Sequence, residues 1–181
     1  MNIFYLDPDV TKCAEMHNDK HCVKMILEYA QLLSTAHRIL DGHERTVLSS
    51  SGRKKKVWEL PDGRNDMLYT ATHANHPSTV WVRQNQQNYI WLSQLLYALC
   101  KEYTYRYGKV HKVQREGLLE ELFNWPMNIP MGEFTEPTPA MPDDVKVSGD
   151  SIKSYRNYYI KNKTHLANWK NRKVPDWYAN I

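Results

Sequence analysis

The stretch from His17 to Leu33 reads HNDKHCVKMILEYAQLL, and its period constrains the fold more than any other part of the chain. Cys22, Met25, Ile26, Tyr29, Leu32, Leu33 and Ala36 recur at the three- and four-residue spacing of one helix face. That face must be buried against another element, so the fold is built round a long amphipathic helix. The opposite face carries His21, Lys24, Glu28 and Gln31 at offsets of 3, 4 and 3 residues. Such a stripe is either an ordinary solvated face or a row of working groups beside a cleft.

The rest of the chain predicts further helices around this one. Asp7-Pro8 is a helix start whose helix runs to about Met16, and Asn18 caps the long helix, which stops at Asp41-Gly42. Between His43 and Thr72 the helical period is lost. There SSSGRKKK reads as a mobile basic loop, and VWEL-PDGR-NDMLY as a small hairpin turning on Pro-Asp-Gly. Pro77 fits a first helical position, Gln87 to Tyr107 is long enough for a central helix, and Gly108 is its natural stop. Glu116 to Phe123 predicts a short helix. Most of the nine prolines fall between 125 and 147, which predicts an extended loop. Asp150 or Ser151 caps a last helix read as far as Trp169. The expectation is an all-α fold, a compact single-domain helical bundle over residues 1–181, with a hairpin or loop insertion at 43–72 and a Pro-rich loop at 125–147.

Composition narrows the function classes. No run of about 18 apolar residues occurs, so no membrane span is expected. The start MNIFYLDPD lacks a basic leader and a long apolar stretch, and the three cysteines (Cys13, Cys22, Cys100) lack framework spacing. Reduced thiols in a cytoplasmic protein are the expectation. The net charge of +4 is modest but uneven, with RKKK at 53–56 and Arg156 to Lys173 basic and Glu133 to Asp144 acidic. Twelve tyrosines and six tryptophans interleaved with Lys and Arg suit a surface that stacks bases and neutralises phosphates. The same aromatics suit the core of a small helical protein equally well.

Candidate chemistry sits in three places. Glu28, one turn after Lys24, is placed to stabilise a sugar cation or to move protons, or else simply forms an (i, i+4) ion pair. HANHP at 73–77 puts His73, Asn75 and His76 at a helix start, where backbone amides attract an anion or are merely capped. Trp81 and Arg83 follow, able to stack on and pair with a nucleotide. YTYRYGKVHK ends the central helix with Tyr103, Arg106, Tyr107, Lys109 and His111, which read as stacking and phosphate contacts or as packed tyrosines with a solvated basic tail. Cys13, His17 and His21 have a four-residue spacing that invites a metal, but a helix break at Asn18 would scatter them, so no metal is expected. No GxSxG, glycine-rich phosphate loop, dinucleotide fingerprint or CxxC pair occurs, so no cofactor is expected.

In this combination the chain resembles the phage-type pyrimidine-dimer DNA glycosylases, the endonuclease V family, and their distant bacterial relatives. NDKHCVKMILE places a Glu seven residues after a His on an early helix, and HANHPSTVW leads into a long helix ending EYTYRYGK; together these cover roughly residues 15–110. The resemblance implies a compact helical fold and an N-terminal α-amine that attacks the sugar C1′ to form an imine. It also implies a Glu on the early helix that assists and strand cleavage by β-elimination. Glu28 matches the catalytic Glu, and His21 the neighbouring histidine. The chain departs from the pattern where Leu27 and Gln31 stand at two arginine positions, and where Met1 precedes Asn2 rather than Thr. Asparagine is large for Met removal, so the expected free amine is that of Met1.

Three functions follow as expectations. The first is a DNA glycosylase-like enzyme acting at the N-glycosidic bond of a damaged or modified nucleotide, with Glu28, His21, Lys24 and Met1 catalytic. The second is an enzyme of the same fold acting on free nucleosides or nucleotides or in base modification. The third is a non-catalytic nucleic-acid-binding domain. DNA or a nucleotide is the expected partner, with no obligate protein partner and no membrane.

Overall fold

The structure, a computed structural model, describes residues 1–180. Its helices are α1 (Val10–Met16), α2 (Asp19–Asp41), α3 (Arg64–Met67), α4 (Pro77–Val82), α5 (Gln86–Tyr107), α6 (Lys112–Arg115), α7 (Leu118–Glu121), α8 (Ser151–Asn162) and α9 (Asp176–Ala179). One antiparallel pair, β1 (His43–Leu48) and β2 (Lys54–Glu59), interrupts them. This is the mainly helical architecture expected. No helix among the described residues is long and apolar enough to cross a membrane.

Helix α2 is the axis of the core. Asn18 caps it by accepting from the His21 N–H, and all seven residues of its predicted apolar stripe are at most 1% exposed. Helix α5 lies antiparallel to it. Tyr89, near the start of α5, meets His37 near the end of α2, and Arg106 near the end of α5 meets Asp19 at the start of α2. Gly108 ends α5 at φ +64, a conformation open to glycine without Cβ strain.

Several boundaries differ from expectation for local reasons. Asp9, not Asp7, caps α1, because Asp7 turns its carboxylate to the Asp9 N–H instead. The basic run is not a mobile loop but strand β2, and the hairpin turns on Ser49–Gly52 rather than on Pro-Asp-Gly. Pro61 to Gly63 leads into α3. The predicted last helix ends at Asn162, with a 3-10 turn over Thr164–Leu166 where a helix to Trp169 was expected. The helix starting at Pro77 breaks after Val82, because the Asn85 side chain caps a new helix that starts at Gln86, accepting from the Asn88 N–H.

The N-terminal segment is extended, and its residues Ile3 to Leu6 are all buried. A short relay fixes it. The Phe4 N–H donates to the Tyr29 hydroxyl at 3.0 Å, which in turn meets His17 Nε2 at 3.0 Å. His17 Nδ1 faces the Cys13 carbonyl at 2.7 Å, so Nδ1 carries the proton and Nε2 accepts from Tyr29. From the other side, Phe4 stacks on His21 at 4.1 Å and packs against Tyr155 and Tyr159 of α8, while Arg156 donates to the Leu6 carbonyl. All three cysteines are free and buried.

Two outcomes follow from these buried polar groups. Tyr29→Phe orphans the Phe4 N–H and the His17 ring nitrogen, and should lower the unfolding free energy by at least about 1–3 kcal/mol in urea titrations. Burial also holds His17 and His37 down to about 4 and His21 to about 2, against an ordinary 6.5. Below about pH 6.5 the unfolded chain takes up protons that these folded histidines do not, so the unfolded state gains as pH falls. Stability should be full above about pH 6.5 and drop by on the order of a few kcal/mol by about pH 4. A urea midpoint unchanged between pH 7 and pH 4.5 would contradict this.

Candidate active site

The tethered N-terminal segment carries Met1 to the start of α4, where the Ser78 hydroxyl donates to the Met1 carbonyl at 3.5 Å. The HANHP turn forms the adjacent wall. The Thr72 N–H donates to Thr35 Oγ1, whose hydroxyl donates to the Gln31 carbonyl, so the segment leading into the turn is fixed to α2 about two turns past Glu28. His73 sits at φ +50, sparsely populated for a non-glycine residue, and its ring meets the Thr72 hydroxyl at 2.7 Å. The His76 N–H closes the turn on the His73 carbonyl at 2.9 Å.

His76 reports how closely these groups approach one another. Burial first, then the positive charges of the Met1 amine and of His73, hold it below its ordinary value, while the Glu28 carboxylate pushes the other way. Met1, His73, His76 and Glu28 thus share one electrostatic neighbourhood. His76 Nδ1 accepts from the Ser78 N–H, leaving Nε2 to carry the proton of the neutral ring. An α-amine, a carboxylate and a neutral imidazole so assembled can supply a nucleophile, a proton acceptor and a hydrogen-bond donor.

Glu28 itself is sheltered, with 15% of its side chain exposed, and pairs with Lys24 at 3.0 Å. Lys24 is 59% exposed, so this ion pair is weak and readily displaced by a substrate phosphate. The polar stripe of α2 therefore splits. Glu28 and Gln31 border the site and Lys24 stands in solvent, but His21 turns into the core, its Nδ1 accepting from the Tyr159 hydroxyl at 2.7 Å. Leu27, beside Glu28, is 42% exposed.

The remaining candidates divide. Asn75 is exposed and does not cap α4; His76 does. Trp81 is 1% exposed and donates its indole N–H to Thr135, so it is a core residue and not a stacking platform. Arg83 folds back on the HANHP turn, donating to the carbonyls of Ala74 and Thr79 at 2.7 and 2.9 Å, so it braces the site wall. Arg106 is 2% exposed and spends four of its five N–H donors on Glu102, Asp19 and the carbonyls of His17 and Glu15, so it lies too deep to meet a phosphate. Burial raises the Glu102 carboxyl, but hydrogen bonds from Arg172 and Arg106 outweigh this and hold it below its ordinary value.

Tyr107 reaches the Asp19 carbonyl, and Tyr103 packs between Tyr107 and His111. His111 caps α6, and Lys109 stays exposed. Tyr103, Lys109 and His111 line a hollow of about 510 Å³. This end of α5 lies level with Asp19, nine residues from Glu28 or ~13 Å along the helix. The structure thus packs α4, with Met1 and the HANHP turn at its start, against the helix that carries Glu28, and sets the tyrosine- and lysine-rich segment toward the other end of that helix.

Sequence reasoning missed the groups that do the joining. Tyr29 was read only as a core residue, and Ser78 and Thr35 not at all; a hydroxyl in an apolar stripe is the signal that Tyr29 offered. Cys13, His17 and His21 each face a separate partner, and among the described residues no cluster of three His, Cys, Asp or Glu side chains is arranged around a metal.

No curated protein and no solved structure matches the chain. The family model described as pyrimidine dimer DNA glycosylase matches residues 1–115, a span that runs from the tethered N-terminus through α2, the HANHP turn and α5. The chain belongs to the pyrimidine dimer DNA glycosylase family.

Proposed function

We propose that this protein releases a damaged pyrimidine from duplex DNA through the Met1 α-amine, with Glu28 as the proton-handling group. The observation that carries the reading is geometric: Ser78 of α4 holds the Met1 carbonyl at 3.5 Å, His76 caps that same helix, and α4 packs against α2, which carries Glu28. In its neutral form the amine attacks the sugar C1′ as the N-glycosidic bond breaks; the departing base takes the bonding electron pair and the proton that the amine nitrogen gives up on forming the new C–N bond. Glu28 first stabilises the developing positive charge at the sugar. It then exchanges protons as the sugar ring opens to an imine. His76, neutral and fixed by its cap to Ser78, offers Nε2–H to a sugar or phosphate oxygen. His73 and Lys24 lie toward solvent, where the phosphates of the flipped nucleotide pass.

A second reading differs only in the nucleophile. Leu27 and Gln31 flank Glu28 where the family pattern has arginines, so the site wall is less basic than that pattern implies. Glu28 would then activate a water that attacks C1′, with no covalent enzyme adduct.

Incubating the protein with a duplex bearing a cyclobutane pyrimidine dimer, with and without borohydride, tests both readings. The expected result is N-glycosidic cleavage, read as base release once photoreversal splits the cyclobutane ring that still joins the cleaved pyrimidine to its neighbour, together with a trapped covalent protein–DNA adduct. Glu28→Gln should lower the single-turnover rate by at least about 100-fold, with the fold retained. Base release without an adduct would replace the amine by water. An inactive wild-type enzyme on this duplex would overturn the proposal and return the free-nucleotide and non-catalytic readings.

A further inference from the structure

The β1–β2 hairpin is a strongly charged feature that the site leaves unused. Residues 43–59 hold five Lys and Arg against two Glu, and so carry three of the chain's four net positive charges. Both glutamates are spent near the base of the ribbon, Glu59 on Arg45 at 2.6 Å and Glu44 on Lys56 at 2.8 Å. Toward the tip, Arg53, Lys54 and Lys55 are exposed, and no carboxylate among the described residues pairs with them.

The ribbon is held at its root and bare beyond it. Arg38 donates to the Trp58 carbonyl at 2.9 Å and to Asn65, which also accepts from the Leu60 N–H. Gly42 lets α2 turn directly into β1, since a Cβ there would come within 3.2 Å of the Glu59 carbonyl and 3.3 Å of Trp58. The tip is closed by the Ser49 and Gly52 backbone bonds, with Gly52 at φ +74. Between root and tip both strands are exposed almost throughout. An isolated two-stranded ribbon is marginal in water, so one kept with both faces bare has something to bind.

Register decides what that is. Leu48 pairs with Lys54 and Val47 with Lys55, so Lys54 projects from one face of the ribbon and Lys55 from the other, with Arg53 beyond them at the turn. An acidic protein surface or a membrane meets one face at a time. A DNA groove meets both, because phosphates line its two walls, and the major groove is wide enough to admit a two-stranded ribbon.

We propose that the hairpin is a DNA-gripping arm: it enters a groove of the duplex away from the lesion, and Arg53, Lys54 and Lys55 neutralise phosphates on both walls without reading sequence. This deepens the reading of the chain as a DNA-acting enzyme and adds a contact remote from Glu28.

The test is binding of an undamaged duplex of about two helical turns, followed by fluorescence anisotropy from 50 to 200 mM salt. Each phosphate contact contributes about 0.9 to the slope of log K against log salt, so Arg53→Ala/Lys54→Ala/Lys55→Ala should flatten the slope by about 2–3. Lys54→Arg/Lys55→Arg should keep the wild-type slope, since charge and not side-chain shape carries the contact. All three side chains are exposed, and unchanged circular dichroism melting confirms the fold. An unchanged slope in the triple variant overturns the proposal. So does wild-type binding to anionic phospholipid vesicles that the triple variant loses while its duplex slope stays the same. The probe carries no lesion, so a failure of glycosylase chemistry at Glu28 leaves this result readable, and the two readings fail separately.

Discussion

The hydrogen bond from the Phe4 N–H to the Tyr29 hydroxyl is the constraint on which the site depends. It fixes an extended N-terminal segment that has no sheet to pair with, and it does so from the residue next to Glu28. The helix therefore sets two things at once. Tyr29 points into the core and positions the chain start, while Glu28, rotated by about 100° around the helix, stays half-buried outside that core. His17 and the Cys13 carbonyl complete the relay, so the buried hydroxyl leaves no partner unsatisfied. Moving the carboxylate without moving the amine would require rebuilding this part of the core.

Much of this was legible in the sequence. The apolar stripe of α2 gave its buried face residue for residue, and HANHP marked a real helix start beside the site. Spacing failed where side-chain direction and burial decide. His21 shares a helical face with Glu28 by period, yet its ring is drawn inward by stacking on Phe4 and by the Tyr159 hydroxyl, both distant in sequence. Trp81 and Arg106 read as nucleotide-binding types, but Thr135, Glu102 and Asp19 claim their donors. Those pairings depend on tertiary contacts that no local pattern encodes. The hairpin was misplaced for a different reason: Pro-Asp-Gly is the stronger turn signal, but the strands pair across the Ser49–Gly52 turn, and Pro61 to Gly63 leads into α3 instead.

The family match ends at residue 115, yet the remainder completes the site's support. Tyr155 and Tyr159 of α8 are fully or almost fully buried against Phe4, and Arg156 holds the Leu6 carbonyl. Thr135 of the proline-rich loop accepts from Trp81, and Ser151 ties that loop to α8 through the Pro137 carbonyl. The proposed catalytic groups thus lie in the matched part, while several of the residues that press the N-terminal segment into place come from beyond it. Charge is divided in a similar way, with Arg53, Lys54 and Lys55 placed outward on the hairpin, away from Glu28.

The central claim is that the start of the chain, and no lysine, meets the sugar beside Glu28. Tandem mass spectrometry of the peptide that carries borohydride-trapped DNA locates that bond directly. The account predicts attachment at the Met1 nitrogen. Attachment at Lys24 or any other lysine would contradict it.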